Sequence, residues 1–202
     1  MRILEVIPSY LPAFEFGGTI SSSHVLNKAL IKKGVDLEVY TTNVGLGDTV
    51  VTNLETLVDG VKVTYFTFAN NLEWMGGTGW QFSPLMQVAI KKNLANFDLV
   101  YIVGAWNYPI LAALKQCFYN RKPCILSPQG AFYPETFTKK FFKKWLYFNF
   151  VLKRYIRKVN AMHYTTEDES LFSQKTLGLK NKTCIIPNGI IIPEFDISDR
   201  IN

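Results

Sequence analysis

The sequence predicts an α/β fold, a parallel sheet of about seven strands with helices on both faces. Three observations carry this. Short apolar, β-rich runs recur along the chain, and longer helix-compatible stretches separate them. The run Leu99 to Val103 is nearly all apolar, as a strand buried on both faces should be.

Arg2-Ile3-Leu4-Glu5-Val6-Ile7 reads as the first strand. Ser21 to Lys33 then carries Val25, Leu26, Ala29 and Leu30 at helical spacing, and Gly34 stands where a helix would stop. Leu37 to Thr41 is a second strand, and Val61 to Phe68 a third, after the Asp59-Gly60 turn signal. Leu99–Val103, Pro123–Ser127, Ala161–Thr165 and Thr183–Ile186 complete the series. Helix-compatible stretches cover 84–96, 108–121, 137–159 and 167–177. Residues 43–60 and 69–83 read as irregular, the latter as a surface loop. The domain reads as 1–195, and 196–202 turns polar, as a linker would.

Composition bounds the function classes. At 48% hydrophobic and 19% charged, the chain has the makeup of a folded globular protein. Met1-Arg2 runs straight into strand-like sequence without a signal-peptide pattern. No apolar run reaches the roughly 18 residues of a transmembrane helix. These features fit a cytoplasmic protein. Cys117, Cys124 and Cys184 are odd in number and widely spaced, which suggests neither a disulfide framework nor a zinc site. No metal and no cofactor are expected.

In an open parallel sheet, ligands bind at the carboxyl ends of the strands. Four segments fall there. Gly17-Gly18 opens the first helix, where glycines admit a ligand to the backbone and a helix N-terminus offers N–H groups to an anion. It is not a dinucleotide fingerprint, because no G-x-G-x-x-G is present; a flexible capped turn is the alternative. Trp106 and Asn107 follow the strand at 99–103. A Trp can stack on a sugar ring and an Asn can bind its hydroxyls; a Trp packed over the sheet end is the alternative. Gln129 and Gly130 lie in Ser127-Pro128-Gln129-Gly130, which also reads as a plain strand-to-helix turn. Thr165 to Glu169 reads as a capping box, and His163 as a packed residue.

The order of these pieces resembles the N-terminal domain of family-4-type glycosyltransferases of GT-B fold. The matching segments are the apolar first strand, the Gly-Gly loop, LNKALIKKGVDLEVYTT, DLVYIVGAWNYP, SPQG, AMHYTTEDE and IIPNG. The resemblance implies one Rossmann-like half of a GT-B fold. It implies an acceptor-binding domain of a retaining, metal-independent enzyme that moves a sugar from a nucleotide-sugar to a glycan or lipid-linked acceptor. Gly17 and Gly18 inherit a place near donor phosphates and acceptor. It further implies that 196–202 leads toward a donor-binding domain the sequence does not contain, so the isolated chain is expected to be inactive. Relatives often carry His or Arg where Gln129 stands, which leaves the catalytic residue unassigned. Relatives often read Asn-Gly-Val-Asp where this chain has Asn188-Gly189-Ile190-Ile191, so the hinge carboxylate is missing.

The net charge of +6 is local. Phe137 to Lys158 holds eight Lys or Arg and no acid, while the remainder holds 14 basic and 16 acidic residues. As one helix, 137–158 puts Phe137, Phe141, Trp145, Phe148, Leu152 and Tyr155 on a stripe facing the sheet. Lys139, Lys140, Lys143, Arg154, Arg157 and Lys158 fall opposite, with Tyr147 and Phe150 among them. Aromatics within a cationic face suit an anionic membrane surface, which predicts peripheral attachment; a solvated basic face is the alternative. No nucleic-acid fold signature accompanies the patch. A non-catalytic binding module is the rival function. A nicotinamide-dependent dehydrogenase is disfavoured by the missing glycine fingerprint.

Overall fold

A computed structural model describes residues 1–69, 77–133 and 141–189. The elements follow in chain order: β1 (Arg2–Val6), α1 (Gly18–Lys32), β2 (Asp36–Thr42), β3 (Glu55–Val58), β4 (Val61–Phe66), α2 (Gly77–Trp80) and α3 (Pro84–Asn93). Then come β5 (Leu99–Val103), α4 (Tyr108–Asn120), β6 (Cys124–Ser127), α5 (Phe141–Tyr147), a π-helical turn (Phe148–Leu152) and α6 (Lys153–Ile156). The series closes with β7 (Ala161–Tyr164), α7 (Glu167–Lys175) and β8 (Thr183–Ile185).

The strands form one sheet in the order β3-β4-β2-β1-β5-β6-β7-β8, parallel except for β3. It has eight strands where about seven were expected. The additional strand, β3, lies inside the stretch read as irregular. It is a four-residue edge strand, paired antiparallel to β4 through the Asp59-Gly60 turn. Edge strands need no apolar face on both sides, so Glu55 to Val58 carries little hydrophobic signal. β4 ends at Phe66, two residues short of the expected boundary.

Side chains alternate across each strand, which gives the sheet two cores. Leu4, Val6, Val100, Ile102 and Leu126 pack on one face with residues of α3, α4 and the 148–159 segment. Ile3, Ile7, Leu37, Val39 and Val63 pack on the other with Ile20 of α1 and Tyr10 of the loop before it. Helices thus lie on both faces, as right-handed crossovers require. Because β1, β5, β6 and β7 are parallel, their carboxyl ends open on one edge of the sheet.

The segment expected as one helix over 137–159 is α5, a π turn and α6; Phe137, Lys139 and Lys140 lie outside the described residues. Only the later part of its apolar stripe is covered. Phe148, Leu152 and Tyr155 are buried, whereas Phe141 and Trp145 are exposed. The π turn inserts an extra residue per turn and rotates the phase, which a constant 100° projection misses. Of the loop expected at 69–83, Gly77–Trp80 is a helical turn whose Trp80 packs on the core. The 196–202 tail lies outside the described residues.

Candidate functional site

A cleft of about 250 Å³ opens at the carboxyl ends of β1, β5 and β6. Pro8, Thr19, Gln81, Trp106, Asn107 and Gln129 are among its lining residues.

The loop after β1 forms one wall. The Tyr10 hydroxyl anchors it from below, 3.0 Å from His24 Nδ1, and it accepts from Asn27 Nδ2 at 3.1 Å. The loop reaches α1 through Gly17, which has φ 99° and ψ −176°, a region essentially confined to glycine. No side chain caps α1. Its first turn meets the cleft through Thr19 and Ile20. Gly17 and Gly18 stand immediately behind these residues rather than in the lining.

Beneath this wall Glu5, in the middle of β1, is fully buried, with no hydrogen-bond partner for either oxygen among the described residues. Burial pushes its carboxyl up to about 7, and Asn27 and Ser23 beside it offset only part of that effect. Glu5 is a functional candidate that residue patterns did not reveal. A lone Glu in a strand normally marks an exposed face.

The second wall follows β5. Trp106 is half-buried, and its Nε1–H donates to Ala131 O at 2.9 Å. Its ring meets Phe132 edge-on at 5.7 Å, and the Lys144 ammonium lies 5.4 Å from its centroid. Trp106 therefore serves both readings: its N–H ties two loops together, and its remaining edge lines the cleft. Asn107 precedes α4, and its Nδ2 donates to Gly79 O at 2.6 Å.

The third wall is the turn after β6. Gln129 has φ 52° and Gly130 φ 80°, two successive left-handed residues. Gln129 Nε2 donates to Ser127 Oγ at 3.1 Å, and its Oε1 accepts from Asn188 Nδ2 at 2.8 Å. Gln129 is thus engaged at both ends, which joins Ser127-Pro128-Gln129-Gly130 to Asn188-Gly189. The Gly130 N–H donates to Glu169 Oε1 at 2.7 Å, and burial raises the Glu169 carboxyl above its ordinary value. Thr166 caps α7 through Glu169 N–H at 3.3 Å. Only half of the expected capping box forms, because the Glu169 carboxylate turns to Gly130.

Gln81 is a polar lining residue that sequence reading missed. Its Oε1 accepts from Thr42 Oγ1 at 3.0 Å. It lies in a stretch read as loop, where nothing marks one polar residue over another. His163 is packed, as expected: its Nδ1 is 2.7 Å from the Tyr101 hydroxyl and its Nε2 is 2.9 Å from Ile186 O.

Of the basic-face residues, Lys143, Phe150, Arg154, Arg157 and Lys158 are exposed. Tyr147 is not. It packs edge-on against Trp80 at 5.5 Å, and burial pushes its hydroxyl up. The residue that covers it comes from α2, far away in sequence, so a helical projection could not show it. No helix among the described residues is long and apolar enough to cross a membrane.

Comparison with known proteins agrees with this architecture. The model of Glycosyltransferase Family 4 matches residues 16–192. Sequence comparison with curated proteins gives no match. Among solved structures, sucrose-phosphate synthase from Thermosynechococcus elongatus superposes with a TM-score of 0.64 at 14% identity, over 94% of this chain and 48% of that one. HepE of Anabaena in complex with UDP-glucose gives 0.57 at 16% identity, over 94% and 44%. Trehalose-6-phosphate synthase OtsA gives 0.56 at 14% identity, over 94% and 50%. The chain spans about half the length of these structures, and its sheet is one Rossmann-like half of the GT-B architecture they share. With most of its length matched, this chain belongs to Glycosyltransferase Family 4.

Proposed function

We propose that this chain is the acceptor-side half of a retaining, metal-independent glycosyltransferase that moves a sugar from a nucleotide-sugar to a glycan or lipid-linked acceptor. One observation carries the reading: the cleft gathers the expected Trp106, Asn107 and Gln129 beside the first turn of α1. Sugar recognition needs a flat apolar face next to amides that both donate and accept. Trp106 supplies the first, and Gln81, Asn107 and Gln129 supply amides.

The uncapped α1 N-terminus beside Gly17 and Gly18 suits the anionic phosphates of a donor. HepE, which shares this fold, is described with UDP-glucose bound, which supports a nucleotide-sugar here. Transfer needs donor and acceptor held together in one geometry. This chain therefore acts with a donor-binding domain, and alone it transfers nothing at a useful rate.

The test follows the Trp106 indole N–H by NMR while glycans and nucleotide-sugars are added. Acceptor glycans shift that resonance, and a protein that adds a donor-binding domain transfers sugar. A silent Trp106 with every glycan, or sustained transfer by the purified chain alone, rejects the reading.

A further inference from the structure

Four large aromatic side chains stand in solvent within ten residues of chain. Phe141, Phe142, Trp145 and Phe150 are 55%, 69%, 43% and 72% exposed. Trp145 and Phe150 meet edge-on at 6.5 Å and make one apolar knob. Leaving such a group in water is unfavourable, and contiguous exposed apolar patches mark interaction sites. The same segment carries the exposed cations Lys143, Arg154, Arg157 and Lys158, with the Arg154 guanidinium 4.5 Å from the centroid of the Tyr155 ring. None of these four forms an ion pair among the described residues. Apolar side chains set among cations, with no acid from 137 to 158, are complementary to an anionic lipid leaflet.

The same segment is joined to the cleft. On its inner side Lys144 holds its ammonium over the Trp106 ring, and Tyr147 packs on Trp80. One face of α5 thus meets solvent with aromatics while another backs Trp106, which lines the cleft. We propose that the 141–158 surface seats on an anionic bilayer, so that the neighbouring cleft takes an acceptor whose head group is presented by a membrane lipid. This rests on the glycosyltransferase reading above and narrows its acceptor to a lipid-linked one.

Sedimentation with phosphatidylcholine vesicles, with and without phosphatidylglycerol, tests the surface. Binding is expected to be at least about tenfold tighter to the anionic vesicles and to weaken as salt rises. Two variants separate the contributions at exposed positions: Phe141→Ala with Trp145→Ala and Phe150→Ala, and Lys143→Glu with Arg157→Glu and Lys158→Glu. Each should lose vesicle binding about tenfold or more while keeping its unfolding midpoint. Equal binding to both vesicle types, binding unchanged in both variants, or tight binding of single-stranded RNA without vesicle binding overturns the proposal.

The acceptor is tested in a transfer-competent protein containing this chain. The aromatic variant should lose transfer to a glycolipid in anionic vesicles and keep transfer to the same head group free in solution. If transfer fails with every acceptor, the glycosyltransferase reading fails. If both acceptors are used alike by wild type and variant, only the membrane inference fails.

Discussion

Glu169 Oε1 accepts the backbone N–H of Gly130 at 2.7 Å, across 39 residues of chain. A carboxylate in the first turn of α7 thereby holds the turn after β6, where Gln129 and Gly130 both have positive φ. That acceptor joins the Gln129 side-chain bonds to Ser127 and Asn188 in offsetting the cost of this conformation at Gln129, a residue with a Cβ.

Glu169→Ala should destabilise the protein by about 1–3 kcal/mol, because it removes the acceptor of a half-buried N–H. Glu169→Gln keeps a carbonyl acceptor and should lose less. Denaturant midpoints decide. An alanine variant as stable as wild type would show that water replaces the carboxylate.

Gly17 and Gly18 should behave differently. Gly17 has φ 99°, so Gly17→Ala is strained by about 1–3 kcal/mol whatever space it finds. Gly18 lacks a positive φ, and a Cβ there meets nothing within 4 Å. Gly18→Val should therefore keep most of its thermal stability, while losing at least about tenfold in kcat/KM in a transfer-competent protein, or roughly 1.4 kcal/mol. Unchanged kcat/KM would remove Gly18 from the site.

Glu5 predicts a pH dependence. Its carboxyl titrates near 7 when folded, against 4.5 ordinarily. Between these values the folded state binds more protons than the unfolded one, so stability falls as pH rises through the window. The contribution is full below the lower value and lost above the upper one, by about 3 kcal/mol. Tyr10 and Tyr101 feel the same charge, but their own hydroxyls are pushed up by burial, out of this window. Glu5→Gln cannot ionise and should gain on wild type between pH 5 and pH 8. Parallel urea midpoints for the two proteins across that range would reject the buried acid.

Trp106→Phe should cost about 1 kcal/mol, the net worth of its hydrogen bond to Ala131 O, while a ring remains against Phe132. In a transfer-competent protein it should raise KM for the acceptor several-fold and leave kcat nearly unchanged. A fall in kcat alone would place Trp106 in the chemistry and not in binding.

Much of this protein is written in local pattern. The sheet's parallel strands were legible because each is a short apolar run such as Leu99 to Val103, and the helices because α1 and α4 repeat apolar residues at helical spacing. The strand ends are legible the same way, and Trp106, Asn107 and Gln129, which line the cleft, follow them in sequence. Periodicity reports which face is buried, and burial at strand ends follows from the sheet.

Tertiary structure alone decided the rest. β3 exists because β4 offers it an edge, and Tyr147 is half-buried because Trp80 reaches it from another segment. Glu5 is an acid held in the interior because α1 closes over β1, and the Glu169 carboxylate serves Gly130 because the turn after β6 presents its N–H there. Each outcome depends on a partner distant in sequence. Hydrophobic spacing carries no information about such partners, since it records a residue's affinity for water and not which group excludes the water.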